Sequence, residues 1–155
     1  KGIKMKMIAN ISTVLDTSAQ TAWSAVKESR TLVFVTKGLL GFDHAKGFPV
    51  LWVEGQTESS RLLFFGCLPA WWHDIKFAEI CDQQFRLMTK EGGGLVAQWD
   101  HDIKLIAIDE NSCLYFDKVV IDAGFFTPLV WLCAHVFYRY RQKRWKKLIQ
   151  HNYDI

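Results

Sequence analysis

The chain has 155 residues, half of them hydrophobic, so it is long enough to bury the core of one domain and too apolar to be disordered. Its net charge of +3 is modest and does not indicate a nucleic-acid partner. Seven Trp, eleven Phe and four Tyr make it rich in aromatic side chains. Trp in such numbers predicts a pocket, groove or interface that these rings line.

The cysteines and the apolar segments argue against metal-binding, secreted and membrane-spanning proteins. Four cysteines occur without a Cys-x-x-Cys spacing or a neighbouring His cluster, at Cys67, Cys81, Cys113 and Cys133. We therefore predict no metal and no cofactor, and reduced thiols lead us to expect a cytoplasmic protein. The first ten residues lack the apolar stretch of a signal peptide. The apolar run at 125–137 is shorter than the roughly 20 residues of a membrane-spanning helix, so no transmembrane segment is predicted.

The N-terminal third predicts a strand followed by two short helices. Residues 4–15 alternate imperfectly between polar and apolar side chains, as in a strand. Thr17 and Gln20 have the spacing of a capping box, which predicts a helix over 18–29. A second helix is predicted over 29–37, where glycines end it. The inward positions of the first helix are Ala22, Trp23 and Val26.

The middle of the chain predicts six strands separated by turn signals. These strands cover 50–54, 57–66, 73–81, 83–91, 95–109 and 112–122. The turn signals are a Pro-containing loop that holds Trp71 and Trp72, a turn at Asp82–Gln83, and a hairpin turn at Gly92–Gly94. Because hairpins join neighbouring strands, the predicted sheet is antiparallel.

The C-terminal part predicts one long helix from Thr127–Pro128 to Gln150. An apolar stripe is expected to lie across the sheet; it comprises Leu129, Leu132, Cys133, Val136, Phe137 and Tyr140. Six cations crowd this helix and predict a solvated face, with a patch for nucleic acid or anionic lipid as the weaker alternative. They are Arg139, Arg141, Lys143, Arg144, Lys146 and Lys147.

The last two predicted strands carry polar side chains on the face that should be shielded from water. The odd positions of both strands are mainly apolar, but they include His101 in the first and Asp117 in the second. Side chains alternate between the faces of a strand, and pairing around the turn brings 101 opposite 119 and 103 opposite 117. His101 and Asp117 are thus predicted to lie diagonally across the pair. Polar groups among aromatic residues on an inner face indicate a lined cavity.

The preceding strand extends this cluster. A turn at Gly92–Gly94 places 91 near 95 and 89 near 97, so Thr89 and Glu91 share the face of Trp99. The predicted cluster comprises Thr89, Glu91, His101 and Asp117, with Tyr115 and Tyr140 nearby as neutral donors. It has three interpretations: a structural bond between strands, a set of groups that orients a ligand, or a catalytic base that a carboxylate fixes.

Aromatic side chains border the cluster. Trp99 and Phe137 are candidates for ligand contact, although a single aromatic residue more often fills a core. Trp71 and Trp72 are adjacent and cannot both point inward. At least one of them is therefore expected at a cavity mouth or a partner surface.

Three segments carry a family resemblance: "FFGCLPAWWHDI" at 64–75, "WDHDI" followed by "CLYFDKVVIDAG", and "FYRYRQKRW" at 137–145. They resemble the START/polyketide-cyclase superfamily, also called SRPBCC, and within it a bacterial branch of uncharacterised ligand-binding proteins. One departure is Cys113, where the family more often has Thr, and it removes a hydroxyl from the cavity wall.

The resemblance implies one α+β domain over 1–155 with the helix-grip fold. In this fold a curved antiparallel sheet of about seven strands wraps around a long C-terminal helix, and two short helices follow the first strand. A cavity is implied between the sheet and the helix, within the roughly 300–1,000 Å³ usual for small-molecule sites.

Three functional hypotheses follow. The first, which we favour, is binding or transport of a small hydrophobic ligand in that cavity. The second is an enzyme of the cyclase, dehydratase or hydrolase type acting on a polyketide-like or lipid substrate, with His101, Asp117 and Tyr115 as catalytic candidates. The third is a protein-interaction domain acting through Trp71 and Trp72, or a homodimer through an exposed face. The ligand-binding candidates are Thr89, Glu91, Trp99, His101, Tyr115, Asp117, Phe137 and Tyr140.

Overall fold

A computed structural model describes residues 4–155. Its strands are β1 (Lys6–Leu15), β2 (Leu40–Asp43), β3 (Thr57–Phe64), β4 (Leu68–Cys81), β5 (Arg86–Gly93), β6 (Val96–Ala107) and β7 (Cys113–Asp122). Its helices are α1 (Ala19–Val26), α2 (Ser29–Thr36) and α3 (Thr127–Gln150). A 3₁₀ turn at Gly124–Phe126 leads into α3.

The seven strands form one antiparallel sheet in the order β1-β7-β6-β5-β4-β3-β2. Register shifts interrupt β3 at Arg61/Leu63, β4 at Phe77/Glu79 and β5 at Glu91/Gly93. Such bulges bend a strand and increase its twist, so the sheet curls into a half-barrel. With α3 inside the curve and two short helices after β1, the predicted α+β helix-grip architecture is confirmed.

The two short helices form as predicted, but the first one begins a residue later than its sequence signal. The cap of α1 is Ser18, whose hydroxyl accepts a hydrogen bond from the Thr21 amide at 3.1 Å. Thr17 instead accepts a hydrogen bond from the Tyr153 hydroxyl at 3.0 Å, so the predicted capping box is wrong. The predicted inward side of α1 is buried, and Trp23 lies in the main core.

The prediction of a strand over 50–54 is wrong. Only Leu51 makes an isolated bridge there, to Glu28, while Trp52 is buried and stacks on Phe77 with 4.5 Å between ring centroids. This one buried aromatic anchors the segment to the core, which leaves its other apolar side chains exposed. The seventh strand is β2, in a segment where only the end of a helix was predicted.

Trp71 and Trp72 belong to a strand, so their placement in a loop is a further wrong prediction. Strand β4 begins at Leu68, and alternation along it turns Trp71 inward and leaves Trp72 58% exposed. The expectation that the two do not both point inward is therefore confirmed. Trp71 packs against the next hairpin turn, where a Cβ on Gly94 would lie 2.2 Å from the indole.

The predicted pairing of β5 with β6 is displaced by four residues. Thr89 lies opposite His101 and Glu91 opposite Trp99, whereas the sequence placed 89 near 97 and 91 near 95. The reason is that β5 continues to Gly93, so the turn at 94–95 moves the register by three, and the bulge between Glu91 and Gly93 adds the fourth. A shift of four is even, and side chains keep their face when the register moves by an even number. The predicted pairing of β6 with β7 is confirmed, because His101 lies opposite Val119 and Ile103 opposite Asp117.

Helix α3 has its predicted bounds, but it buries a different face from the predicted one. The residues packed inward are Ala134, Tyr138, Arg141, Gln142, Trp145 and Leu148. Leu129, Leu132 and Val136, which were predicted to cross the sheet, are each more than half exposed. The buried face includes polar side chains that find partners inside, and apolar spacing alone does not identify such a face.

Side chains of α3 also cover the free edge of the sheet. Trp131 donates from its indole to the carbonyl of Ile8 at 2.8 Å, and Arg139 donates to the carbonyl of Ser12 at 3.1 Å. Both carbonyls belong to β1, which is an edge strand. These bonds fix the helix along the sheet and shield an edge that could otherwise pair with another chain. Among residues 4–155, no helix is long and apolar enough to cross a bilayer.

The contact between Trp71 and its turn predicts a difference between two glycine substitutions. Gly94 has φ +53° and Gly55 φ +85°, so Ala is strained at both positions, by about 1–2 kcal/mol. A Cβ at Gly94 would also overlap the Trp71 indole, whereas a Cβ at Gly55 has nothing within 4 Å. In urea unfolding we expect Gly55→Ala to lose about 1–2 kcal/mol and Gly94→Ala roughly twice as much. Equal losses would contradict the packing of Trp71 on this turn.

Candidate functional site

A cavity of about 670 Å³ lies between the concave face of the sheet, α2 and α3. Most of its wall is apolar and comes from α2, from β3 to β6 and from α3; examples are Val35, Leu62, Phe77, Leu87 and Ile103. Exposed apolar side chains mark its mouth, among them Phe65, Leu95, Leu129, Leu132 and Val136. The volume lies within the roughly 300–1,000 Å³ of small-molecule sites.

His101 and Asp117 form the predicted pair at the wall of this cavity. The His101 Nε2 atom lies 2.8 Å from Asp117 Oδ1, and both residues are buried. Because the carboxylate accepts, Nε2 carries the proton in this bond, and neutral His101 then has its lone pair on Nδ1. Nδ1 has no hydrogen-bond partner among residues 4–155, and His101 lines the cavity.

Asp117 accepts hydrogen bonds from three elements of the fold. In addition to His101 of β6, the Tyr115 hydroxyl of β7 donates to Oδ1 at 3.0 Å and the Gln142 amide of α3 donates to Oδ2 at 3.2 Å. Burial acts to raise the pKa of Asp117, but the charge of Arg141 and the bond from His101 outweigh it, so the pKa lies below its ordinary value. Asp117 is therefore an ionised group that is wholly buried.

A second carboxylate, whose side chain is 13% exposed, lies two strands away. Glu91 accepts from His73 Nε2 at 3.0 Å and from the Thr89 hydroxyl at 2.5 Å. Burial acts to raise the pKa of Glu91, but the bond from His73 and the charges that the His73 and His101 rings carry when protonated outweigh it, so its pKa is also lowered. Thr89, Glu91 and His73 all line the cavity.

Arg141 supplies the positive charge among these groups. It extends from α3 into the cavity wall, and its guanidinium carbon lies 5.2 Å from the centre of the Tyr138 ring. Burial acts to lower the pKa of Arg141, but Tyr115 and Asp117 outweigh it and raise the pKa above its ordinary range. The prediction that this Arg belongs to a solvated face of the helix is therefore wrong.

Tyr138 connects the helix to the aromatic wall. Its hydroxyl accepts from the Trp99 indole at 3.0 Å, and its ring lies 4.9 Å from the His101 ring. Burial raises the pKa of Tyr138 well above its ordinary value, so its hydroxyl remains a neutral donor.

The structure divides the predicted ligand-binding residues into three groups. The cavity wall contains Thr89, Glu91, Trp99, His101 and Phe137. Asp117 and Tyr115 lie behind that wall, where Asp117 bonds to His101 and to the Tyr115 hydroxyl, and the Tyr115 ring packs against Trp145. Tyr140 lies outside, since its hydroxyl donates to the carbonyl of Lys37 on the α2 side of the helix. Its predicted place in the cluster is wrong, because Tyr138 occupies the inward position.

Sequence reasoning missed four side chains of the cluster: His73, Tyr138, Arg141 and Gln142. The signal for His73 was present in the alternation of β4, where it shares a face with Trp71 and Ile75. The signal on α3 was the spacing of 138, 141, 142 and 145, which follows one helical face.

The arrangement has the geometry of a general base. A His held by a buried carboxylate, with its other ring nitrogen free beside a cavity, can accept a proton from a bound molecule. The same groups can equally hold a polar atom of a ligand in place. Among residues 4–155, no group of three or more His, Cys, Asp or Glu side chains is placed to hold a metal.

Comparison of the sequence with protein-family models and with curated proteins gives no match. Comparison of the structure gives several solved structures of similar fold. Norcoclaurine synthase from Thalictrum flavum, in complex with dopamine and hydroxybenzaldehyde, has 12% identity and a TM-score of 0.67 over 96% of this chain and 88% of its own. A START superfamily protein from Mycobacterium smegmatis has 11% identity and a TM-score of 0.69 over 93% and 97%. A protein from Chromobacterium violaceum has 12% identity and a TM-score of 0.70 over 91% and 95%.

These similarities extend over nearly the whole of each chain, and they concern the fold. The chain has the START-like helix-grip fold, as the sequence resemblance implied. One of these similar structures, norcoclaurine synthase, holds dopamine and hydroxybenzaldehyde.

The three bonds to Asp117 predict its effect on stability. Asp117→Asn removes the charge that Arg141 and His101 face inside the protein, and we expect a loss of about 3–5 kcal/mol in urea unfolding. Asp102→Asn is a matched control on the outer face of β6, where Asp102 forms a partly exposed pair with Arg86. There we expect at most about 1 kcal/mol. Similar losses for both variants would contradict a central role for Asp117.

The lowered pKa values of Asp117 and Glu91 predict an acid-sensitive fold. In the unfolded chain these carboxyls take up protons near their ordinary pKa values of about 3.9 and 4.3, and in the folded state only at lower pH. Their contribution is thus present above about pH 4–5 and is lost as pH falls below that. The stability difference between wild type and Asp117→Asn should therefore shrink between about pH 5 and pH 3. A difference that stays constant over that interval would show that Asp117 keeps its ordinary pKa.

Proposed function

We propose that this protein binds a small hydrophobic ligand in the cavity between the sheet and α3. The observation that carries the proposal is the cavity itself, about 670 Å³ of mainly apolar wall inside a chain of 155 residues. A well-packed core of this size leaves few voids larger than a water molecule. A large apolar cavity with a few convergent polar groups is typical of a ligand site.

The mouth of the cavity supports the same proposal. Leu129, Leu132 and Val136 of α3 are exposed at the entrance, and Leu95 lies across from them on the hairpin turn. Exposed apolar side chains that adjoin a cavity are common at binding grooves. We infer that the ligand enters between α3 and the turn of the β5–β6 hairpin.

The four cysteines support a reducing compartment. All four are free thiols, and Cys67 and Cys133 are exposed. Exposed free thiols are unusual in oxidising compartments, so we place this binding function in the cytoplasm. There it would carry or sequester a molecule that is poorly soluble in water.

The direct experiment is native mass spectrometry of protein purified without detergent. Excess mass that disappears on unfolding is the expected result, and the released molecule identifies the ligand. An apo mass, combined with no change in Trp fluorescence across a broad set of lipophilic molecules, would contradict the proposal.

Two adjacent residues give a matched fluorescence test. Trp71 lines the cavity, and Trp72 points to the outer face of the same strand. A lipophilic ligand should exclude water from Trp71, so the emission shift that 1-decanol causes is expected to decrease in Trp71→Phe and to persist in Trp72→Phe. The reverse result would place the ligand on the outer face, where Trp72 is the basis of the protein-interaction hypothesis.

A second candidate function is catalysis, which one specific contact favours. His101 bonds to Asp117 through Nε2 and faces the cavity with Nδ1 unpartnered by any described residue. This tautomer suits a base that removes a proton from a bound substrate. Tyr138, whose hydroxyl lies at the cavity wall, would then polarise a carbonyl.

The catalytic candidate is tested by measuring ligand binding and ligand conversion separately. The ligand recovered from the purified protein is returned to wild type and to His101→Ala, and its conversion is followed by mass spectrometry. Catalysis predicts a loss of turnover of about 100-fold or more in the variant with nearly unchanged affinity. An unchanged molecule in both samples would leave His101 as a binding residue only.

A further inference from the structure

The guanidinium of Arg141 is the charged group of the cavity that the fold leaves without a hydrogen-bond partner. Arg141 is 5% exposed and contributes to the cavity wall from the middle of α3. Among residues 4–155, no carbonyl, hydroxyl or carboxylate oxygen accepts a hydrogen bond from it, and its Nε atom is completely buried. A guanidinium has five N–H donors and no acceptor, so it presents donors alone.

The carboxylates of Asp117 and Glu91 already accept hydrogen bonds from other groups. Asp117 accepts from His101, Tyr115 and Gln142, and Glu91 accepts from His73 and Thr89. Both lower the energy of the Arg141 charge through space, but neither forms an ion pair with it within 4.0 Å. The two carboxylates therefore balance part of the Arg141 charge, but the N–H donors of Arg141 have no hydrogen-bond acceptor among residues 4–155.

Two more donors face the same cavity. The Tyr138 hydroxyl accepts from Trp99 and donates to no described residue, and its ring lies against the Arg141 guanidinium. The indole Nε1 of Trp71 is buried and has no partner among residues 4–155. Both residues line the cavity, so its wall offers donors to whatever occupies it.

We infer that the ligand is a hydrophobic carboxylic acid, bound as its anion with the carboxylate on Arg141 and Tyr138 and the apolar part along the remaining wall. The inference rests on the proposed function, which it narrows to one class of molecule. A planar carboxylate matches the parallel donors of a guanidinium, and such bidentate pairs are among the strongest charge-assisted hydrogen bonds. Because water is largely excluded at this depth, the pair is stronger than it would be at the surface.

The test compares head groups on constant apolar parts. The probes are decanoate and 1-decanol, and naphthalene-2-carboxylate and naphthalene-2-carboxamide, titrated into wild type at pH 7.5 by calorimetry. In each pair the anion is expected to bind at least about 10-fold more tightly than its neutral partner. This comparison uses the unmodified protein, so it holds even if a variant does not fold.

Variants then assign the preference to one residue. Arg141→Gln is expected to remove the preference for the anion while the affinity for 1-decanol changes by less than about 3-fold, and Arg141→Lys to retain part of the preference. Lys143→Gln is the matched control, since it makes the same charge change at an exposed position two residues along α3. It should leave both affinities unchanged.

The possible results distinguish failure of the carboxylate inference from failure of the proposed function. Equal affinity for acid and neutral partner in wild type would overturn the carboxylate inference and leave the proposed function standing. A preference that survives in a folded Arg141→Gln variant would also overturn it, as would decyl phosphate binding more tightly than decanoate. No binding of any probe would contradict the proposed function and the inference with it.

Discussion

The fold depends on one buried carboxylate at the point where the sheet and the long helix meet. Asp117 accepts hydrogen bonds from β6, from β7 and from α3. A buried charge of this kind is stable only when donors and an opposite charge surround it. Arg141 supplies that charge from the same helix that supplies Gln142. The position of α3, and with it one wall of the cavity, is thus tied to the ionised state of a single side chain.

Helix α3 serves two purposes, and they explain its unusual composition. Its C-terminal half places Trp145 and Leu148 in the main core, beneath α1 and α2. Its N-terminal half packs Ala134 and Tyr138 on β1 and β7 and leaves Leu129 and Leu132 at the cavity mouth. One helix therefore contributes to the packed core and borders the cavity, and Trp145 does both.

The sequence predicted the parts of the site that depend on strand alternation. His101 and Asp117 were placed correctly because a tight turn fixes the β6–β7 register, and Thr89 and Glu91 kept their face because the register error was even. Arg141 was assigned to the solvated face because it lies among five other cations, although it shares the helical spacing of the buried Tyr138 and Trp145. Tyr140 was predicted in the cluster, and Tyr138 was missed, because the apolar stripe of α3 does not coincide with its buried face. Hydrogen bonds across elements, such as that between His73 and Glu91, depend on tertiary contacts that no local pattern contains.

The pairing of the first strand with the last has a consequence for biosynthesis. β1 pairs along its whole length with β7, and α3 then follows β7 in the chain. During translation, more than a hundred residues are added after β1 before all of β7 has left the ribosome. Helix α3, which closes the cavity, is synthesised later still. Contacts so distant in sequence form slowly and expose strand edges in the meantime. The nascent chain therefore has no cavity to fill, and a ligand can first act on this protein after synthesis of the domain has ended.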